Sequence, residues 1–167
     1  MPVNIQDKGP FEFMVDTGQT VQVISPDIQN AGVKKPHIKV EGLAAGGRVP
    51  KQDLADWSGI SLIDEEHHTQ VDMPPLKAVV TDFAQAHMDA QHPVAGMLGM
   101  DTLLLFDVDL DFPAGRVRLW APGTAAKDAE RTGMVEIPAT VINESLLLGT
   151  RITGKLASDK KDDSKQT

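Results

Sequence analysis

Short runs of alternating apolar and polar residues, separated by turn residues, make up most of this chain. Val3 to Ile5, Phe11 to Val15 and Val21 to Ser25 place β-branched or aromatic side chains at alternate positions, the period of a strand with one buried face. Ile38 to Val40 repeats the pattern. Asp53 to Leu62 reads as a strand returning beside it, with Trp57 or Ile60 reaching inward, and Leu76 to Phe83 is another strand. Val94 to Leu98 is an apolar run that Gly96 breaks and Gly99 ends. Asp107 to Phe112 alternates strictly, with Val108, Leu110 and Phe112 on one face and the aspartates on the other. Pro113 to Arg116 makes the turn, and Val117 to Leu119 pairs back with Trp120 at its end. Met134 to Ile142 and Leu146 to Thr153 add two late strands. Helical signals are sparse. Ser25-Pro26-Asp27 starts a segment that stops at Asn30-Ala31-Gly32, and Asp101 can cap a turn running to Phe106. The pattern is mainly β with one or two short helices.

A chain of 167 residues can bury one proper core and is too short for two large ones. The formal net charge of −8 argues against nucleic acid or an anionic membrane surface as partner, because both select basic patches. No apolar run reaches membrane-spanning length. The absence of cysteine removes disulfides, thiol catalysis and cysteine-held metal together. A soluble protein in an intracellular or organellar compartment is therefore expected over a secreted, disulfide-stapled one. Met1 to Gln6 shows neither a signal core nor a transit pattern, which fits a leaderless protein or a piece of a longer chain.

Chemistry concentrates at Asp16. A β-rich run delivers this carboxylate into the turn Asp16-Thr17-Gly18, and a second run carries the chain away, so strand packing can hold an ionisable group rigidly. Asp-x-Gly alone is ordinary turn chemistry. The histidines offer less. Asp64 to His68 sets His67 and His68 beside three carboxylates, but neighbouring residues point apart and no third ligand follows at metal-site spacing, so a solvated turn is expected and no metal. His87 and His92 come without an activated serine or cysteine signature and read as surface or cap residues.

A second stretch changes the weight of the first. Met97-Leu98-Gly99, a short helix from Asp101 to Phe106 and the hairpin from Val108 to Trp120 follow Asp16-Thr17-Gly18 at a distance. In that order they resemble a single lobe of the retropepsin-like and pepsin-like aspartic peptidases. Some plant and algal organellar proteins look closer still, through Pro74 to Phe83 and Glu136 to Thr153. The resemblance implies a closed β-barrel lobe over residues 1–121, a linker over 122–132 and a charged, disordered tail over 157–167. Between them, residues 133–156 would form a hairpin like the start of a second lobe or a set of dimer-interface strands. It implies Asp16 as the catalytic carboxylate, Thr17, Gly18, Gln19 and Thr20 as its supporting loop, and Met97, Leu98 and Gly99 as the segment beneath it. Gly42, Ala45, Gly46 and Gly47 would lie in a mobile flap over the substrate, for which a Gly-rich, weakly packed stretch is suited.

The function implied is an aspartic endopeptidase acting on peptide or protein substrates without a cofactor. Catalysis by this route needs two carboxylates, and the chain contains one Asp-Thr-Gly. The second would come from a homodimer partner or from another lobe of a longer chain. Gln19 departs from the Ala, Ser or Thr usual in the family. Two other readings stand beside this one: a protease-like module that binds peptide or dimerises without turnover, and a β-domain in which Asp16 merely makes a turn.

Overall fold

Alternation becomes a sheet most plainly at the N-terminus. In β1 (Pro2–Ile5) Val3 and Ile5 are fully buried, and in β2 (Lys8–Val15) Phe13 points inward while Met14 stays exposed. The computed structural model describes residues 1–28, 38–44, 47–83, 91, 93–125, 137–142 and 145–148. Its remaining strands are β3 (Gln22–Ile24), β4 (Ile38–Ala44), β5 (Gly47–Trp57), β6 (Ile60–Asp64), β7 (Thr69–Asp72), β8 (Leu76–Val80), β9 (Val94–Leu98), β10 (Asp107–Asp111), β11 (Arg116–Trp120), β12 (Ala139–Ile142) and β13 (Ser145–Leu148). Among the described residues one short helix, α1 (Met100–Leu103), follows β9, and a single 3₁₀ turn covers Pro26–Ile28.

Nine strands form one sheet in the order β4-β5-β8-β3-β9-β2-β1-β6-β7. Two pairings are parallel, β2 with β9 and β3 with β8, and the others are antiparallel. β10–β11 and β12–β13 are separate antiparallel hairpins. The sheet ends at β4 on one side and β7 on the other, with no pairing between them among the described residues. The hydrogen bonds therefore give an open sheet and not the closed barrel expected.

The strands at the middle are buried on both faces, as central strands flanked on two sides must be. All three residues of β3 are buried, and so are Gly96, Met97 and Leu98 of β9. The core gathers Val3, Ile5, Phe13, Ile24, Trp57, Ile60, Leu62 and Leu98. The Phe13 and Trp57 rings stack with centroids 5.5 Å apart and planes 13° from parallel. Such a pair adds about 1 kcal/mol beyond the area it buries.

Several expectations need correction. Gly96 does not break β9. It lies inside the strand because the Phe13 ring occupies the place of a side chain: a Cβ there would sit 2.2 Å from Phe13 Cε1 and 2.5 Å from the Val23 carbonyl oxygen. Gly96→Ala is expected to destabilise the fold by about 3 kcal/mol through this overlap, readable as a lowered denaturation midpoint at unchanged m-value. The returning strand expected from Asp53 begins at Gly47, and it stops at Trp57 because Gly59 turns the chain at φ +71°. Ile60 to Asp64 then leaves to pair with β1. Trp57 and Ile60 are both buried, as read. The exposed strand β7 was not foreseen.

The Asp64 to His68 segment is the exposed turn between β6 and β7. Within it, His67 Nδ1 lies 2.6 Å from Asp64 Oδ2, and the His67 N–H donates to Asp64 Oδ1 at 3.1 Å. This bonded carboxylate raises the His67 pKa above its ordinary value of 6.5. His67 gains its partner on folding, so the contribution is present below the unfolded pKa and is lost as pH rises through the folded one. In a proton-NMR titration, Asp64→Asn should move the His67 midpoint downward. An unmoved midpoint would show that the contact is absent in solution.

β10 and β11 pair from Asp107↔Trp120 to Asp111↔Arg116. The aspartate face is not wholly solvated, because Arg118 bridges Asp109 at 3.1 Å and Asp111 at 2.9 Å. Phe112 does not join the buried face. It starts the turn that Gly115 closes, and it is 84% exposed. β12 and β13 match the late strands in part, and the four residues of β12 are exposed. The expected linker lies mostly outside the described residues, and the tail wholly so.

Candidate active site

Parallel pairing places two strand ends side by side. β2 ends at Val15, opposite Leu98 at the end of β9, while the other edge of β9 pairs antiparallel with β3 through Val23↔Met97 and Ile24↔Gly96. The loop from Asp16 to Val21 joins β2 to β3, so β9 is threaded between the two strands that carry this loop.

That threading supplies the loop with a floor. The Asp16 N–H donates to the Leu98 carbonyl at 3.0 Å. The Met100 N–H donates to the Gln19 carbonyl at 2.8 Å, and the Asp101 N–H to that of Thr20 at 3.0 Å. Buried below, the Gly99 N–H donates to Gln22 Oε1 at 2.6 Å. Asp16 is half-buried as a residue, and its Oδ1 accepts the Gly18 N–H at 2.8 Å on the exposed side of the loop. A carboxylate held by a backbone donor, with solvent on one side, can serve as a base or accept a proton from a bound water. Thr17 and Gly18 are exposed.

These contacts explain two glycines. Gly18 does not adopt a left-handed backbone, so turn geometry is not what calls for glycine there. A Cβ would instead crowd Asp16 Oδ1 at 3.3 Å. At Gly99 the backbone is extended, φ −95° and ψ −171°, and open to any residue. What excludes a side chain is space, since a Cβ would lie 2.6 Å from the Val21 carbonyl oxygen and 2.7 Å from that of Gln19.

The sequence expectation that Asp101 caps the helix is not met. Gly99 holds the cap position with no side-chain bond. The first helical N–H groups are already taken by the carbonyls of Gln19 and Thr20, so no capping side chain is needed. α1 also stops at Leu103, short of Phe106.

Asp16 through Thr20 and Leu98 through Met100 thus meet as a unit, and Met97 pairs beneath them with Met14 and Val23. The expected flap residues lie elsewhere. Gly42 pairs with Val49 and Gly47 with Ala44 in the β4–β5 hairpin, which joins the sheet through β8, while Ala45 and Gly46 fall outside the described residues. Gln22, which bonds Gly99, was missed as a site residue, and Thr102 of α1 is a second polar residue whose burial was not foreseen. Both are buried, at 0% and 1% exposure, although an alternating reading assigns Gln22 to the solvent face. Their one legible signal is a polar residue in a segment that must sit between two others.

A groove of about 880 Å³ runs between the β6–β7 turn and β11, floored by Phe13, Val15, Leu62 and Leu119. Asp16 is not among its lining residues, and the bonded carboxylate that does line it, Asp64 with His67, belongs to the exposed β6–β7 turn and not to the junction of two central strands. The bonded carboxylate loop, and not the larger hollow, is the candidate site. No helix among the described residues is long and apolar enough to cross a membrane.

Residues 1–102 match a family model described as aspartyl protease, a span that includes both Asp16 and the Gly99 turn. No curated protein and no solved structure matches the chain.

Proposed function

The chain belongs to the aspartyl protease family, and from that premise we propose that it is one lobe of an aspartic endopeptidase with Asp16 as its catalytic carboxylate. The observation that supports this best is the pinned loop: the Asp16 N–H is held on Leu98 and its carboxylate on the Gly18 N–H, at the junction of two parallel strands.

Peptide hydrolysis here needs a second carboxylate facing Asp16 across one water. Two such groups cannot both ionise easily, so they share a proton and titrate as a coupled pair. The ionised member takes a proton from the water as the water oxygen attacks the scissile carbonyl carbon. The protonated member donates to the carbonyl oxygen, and a proton then passes to the leaving amine as the C–N bond breaks. Gly18 holds the Asp16 carboxylate in place through its N–H. Thr17, exposed in the single chain, is free to bond the loop that brings the second carboxylate.

The sequence holds one Asp-Thr-Gly, so the second carboxylate comes from another copy of the chain or from a further lobe. A two-fold axis through the site would present the same loop twice. The β12–β13 hairpin, which forms its own sheet, is available as interface strands or as the beginning of that other lobe. Substrate would lie extended beside the loop, under the β4–β5 hairpin acting as flap, and bind partly through main-chain hydrogen bonds. The second reading is a protease-like module that binds peptide or dimerises without turnover.

Cleavage of an unfolded protein from about pH 3 to pH 7, across a range of protein concentrations, tests the proposal. Specific activity that rises with concentration supports a homodimer; cleavage that appears only when a further lobe is supplied supports a site completed within one longer chain. Peptide binding without cleavage at every concentration and pH would overturn the homodimer, and if cleavage stays absent when a further lobe is supplied, the catalytic reading falls in favour of the binding module.

A further inference from the structure

We propose that Gln22 is a positioning residue for the Asp16 loop, an inference that rests on reading Asp16 as the catalytic carboxylate. Its side chain opens β3 in the middle of the sheet and is fully buried. Register pairing of β9 with β3 ends at Val23↔Met97, so the next free donor along β9, the Gly99 N–H, has no strand to bond. A buried N–H must find an acceptor. Gln22 Oε1 supplies it at 2.6 Å.

The neighbours of that bond carry the site. On one side of Gly99, the Leu98 carbonyl holds the Asp16 N–H. On the other, the Met100 and Asp101 N–H groups hold the carbonyls of Gln19 and Thr20. All of these are backbone contacts, and Gln22 is the side chain that completes the set. It fixes where the end of β9 sits, and the loop hangs from that end.

The amide is not the most stable choice for this position. Gln22 Nε2 is buried without a hydrogen-bond partner among the described residues. A methionine would fill similar space and leave no orphan donor, so packing alone does not favour glutamine. What methionine cannot do is accept the Gly99 N–H. Glutamine does so while remaining uncharged below a loop whose carboxylate must titrate, and a like charge nearby would disturb that titration.

The test uses the full chain, comparing wild type, Gln22→Met, Gln22→Glu and Asp16→Asn. In Gln22→Met, kcat should fall about thirty-fold with KM changed less than about two-fold, the pattern of a misplaced reacting group and not of lost substrate binding. Amide exchange should quicken at least about ten-fold more at Asp16, Met100 and Asp101 than in β1 and β6, marking a local and not a global loosening. Gln22→Glu keeps a carbonyl acceptor, and burial holds the introduced carboxyl neutral in acid. This variant should therefore regain near wild-type kcat in acid and lose it as pH rises, narrowing the alkaline side of the profile.

Wild-type kcat in Gln22→Met, or exchange that quickens uniformly across the sheet, would overturn the assignment. So would failure of Gln22→Glu to recover in acid while folded. Cleavage that survives Asp16→Asn would instead remove the catalytic reading, and the exchange pattern would then decide the role of Gln22 by itself.

Discussion

Asp16→Asn is expected to abolish peptide cleavage, by at least about a thousand-fold or roughly 4 kcal/mol of transition-state stabilisation, while the protein stays folded. The asparagine side chain has nearly the same shape. Its carbonyl oxygen can still accept the Gly18 N–H, and the backbone bond from residue 16 to Leu98 does not involve the side chain. What disappears is the ability to take and return a proton at the water. Stability should change by less than about 1 kcal/mol, and a peptide should bind the variant about as well as wild type. The measurement is initial cleavage rate beside a denaturation curve for each protein. A variant that still cleaves would sink the mechanism at Asp16. One that fails to fold would show that the charge itself holds the loop together.

Gly99→Ala should produce the other large effect, this time by way of space. Both carbonyl oxygens that a Cβ would meet, those of Val21 at 2.6 Å and Gln19 at 2.7 Å, belong to the backbone and cannot swing aside like a flexible side chain. Either β9 or the loop must move. Because the same loop is bonded to Met100 and Asp101, displacement breaks contacts instead of redistributing them. An overlap of this kind costs about 3 kcal/mol, or roughly 6–12 °C in a domain of this size. Any folded fraction should also lose about a hundred-fold in kcat, since an ångström of misplacement at the reacting group has that effect. Thermal denaturation and kcat measured together check both parts. An alanine variant with unchanged midpoint and unchanged kcat would mean the loop and β9 do not pack this closely.

What could be read from the linear chain follows from how local each signal is. Asp16-Thr17-Gly18 and Met97-Leu98-Gly99 are compact, and the sheet does bring them together. Half-buried strands such as β1 announce themselves by alternation. Gln22 could not be read in that way, because alternation assumes one wet face and β3 has none. Gly96 looked like an interruption for a related reason: its space is filled by Phe13, and such packing across strands has no trace in neighbouring residues. Asp101 met every local rule for a cap, yet the donors it would have capped were claimed by a loop from the other end of the domain. β7 lies at the sheet edge with all four residues exposed, so it buries too little to leave an apolar pattern. Phe112 alternated correctly but fell one residue past the last strand pair, where the turn carries it into solvent.

The threading of β9 between β2 and β3 also orders events in time. Gln22 and Gly99, bonded in the finished domain, are 77 positions apart. Contacts this distant close late in folding, because the intervening chain must be gathered first. At synthesis rates of roughly 5–20 residues per second, the floor of the loop is not even made until about 4–17 seconds after the aspartate has been. Through that interval the carboxylate is only a residue in an unsupported bend. The connectivity that assembles the loop thus also delays it until most of the domain has been made.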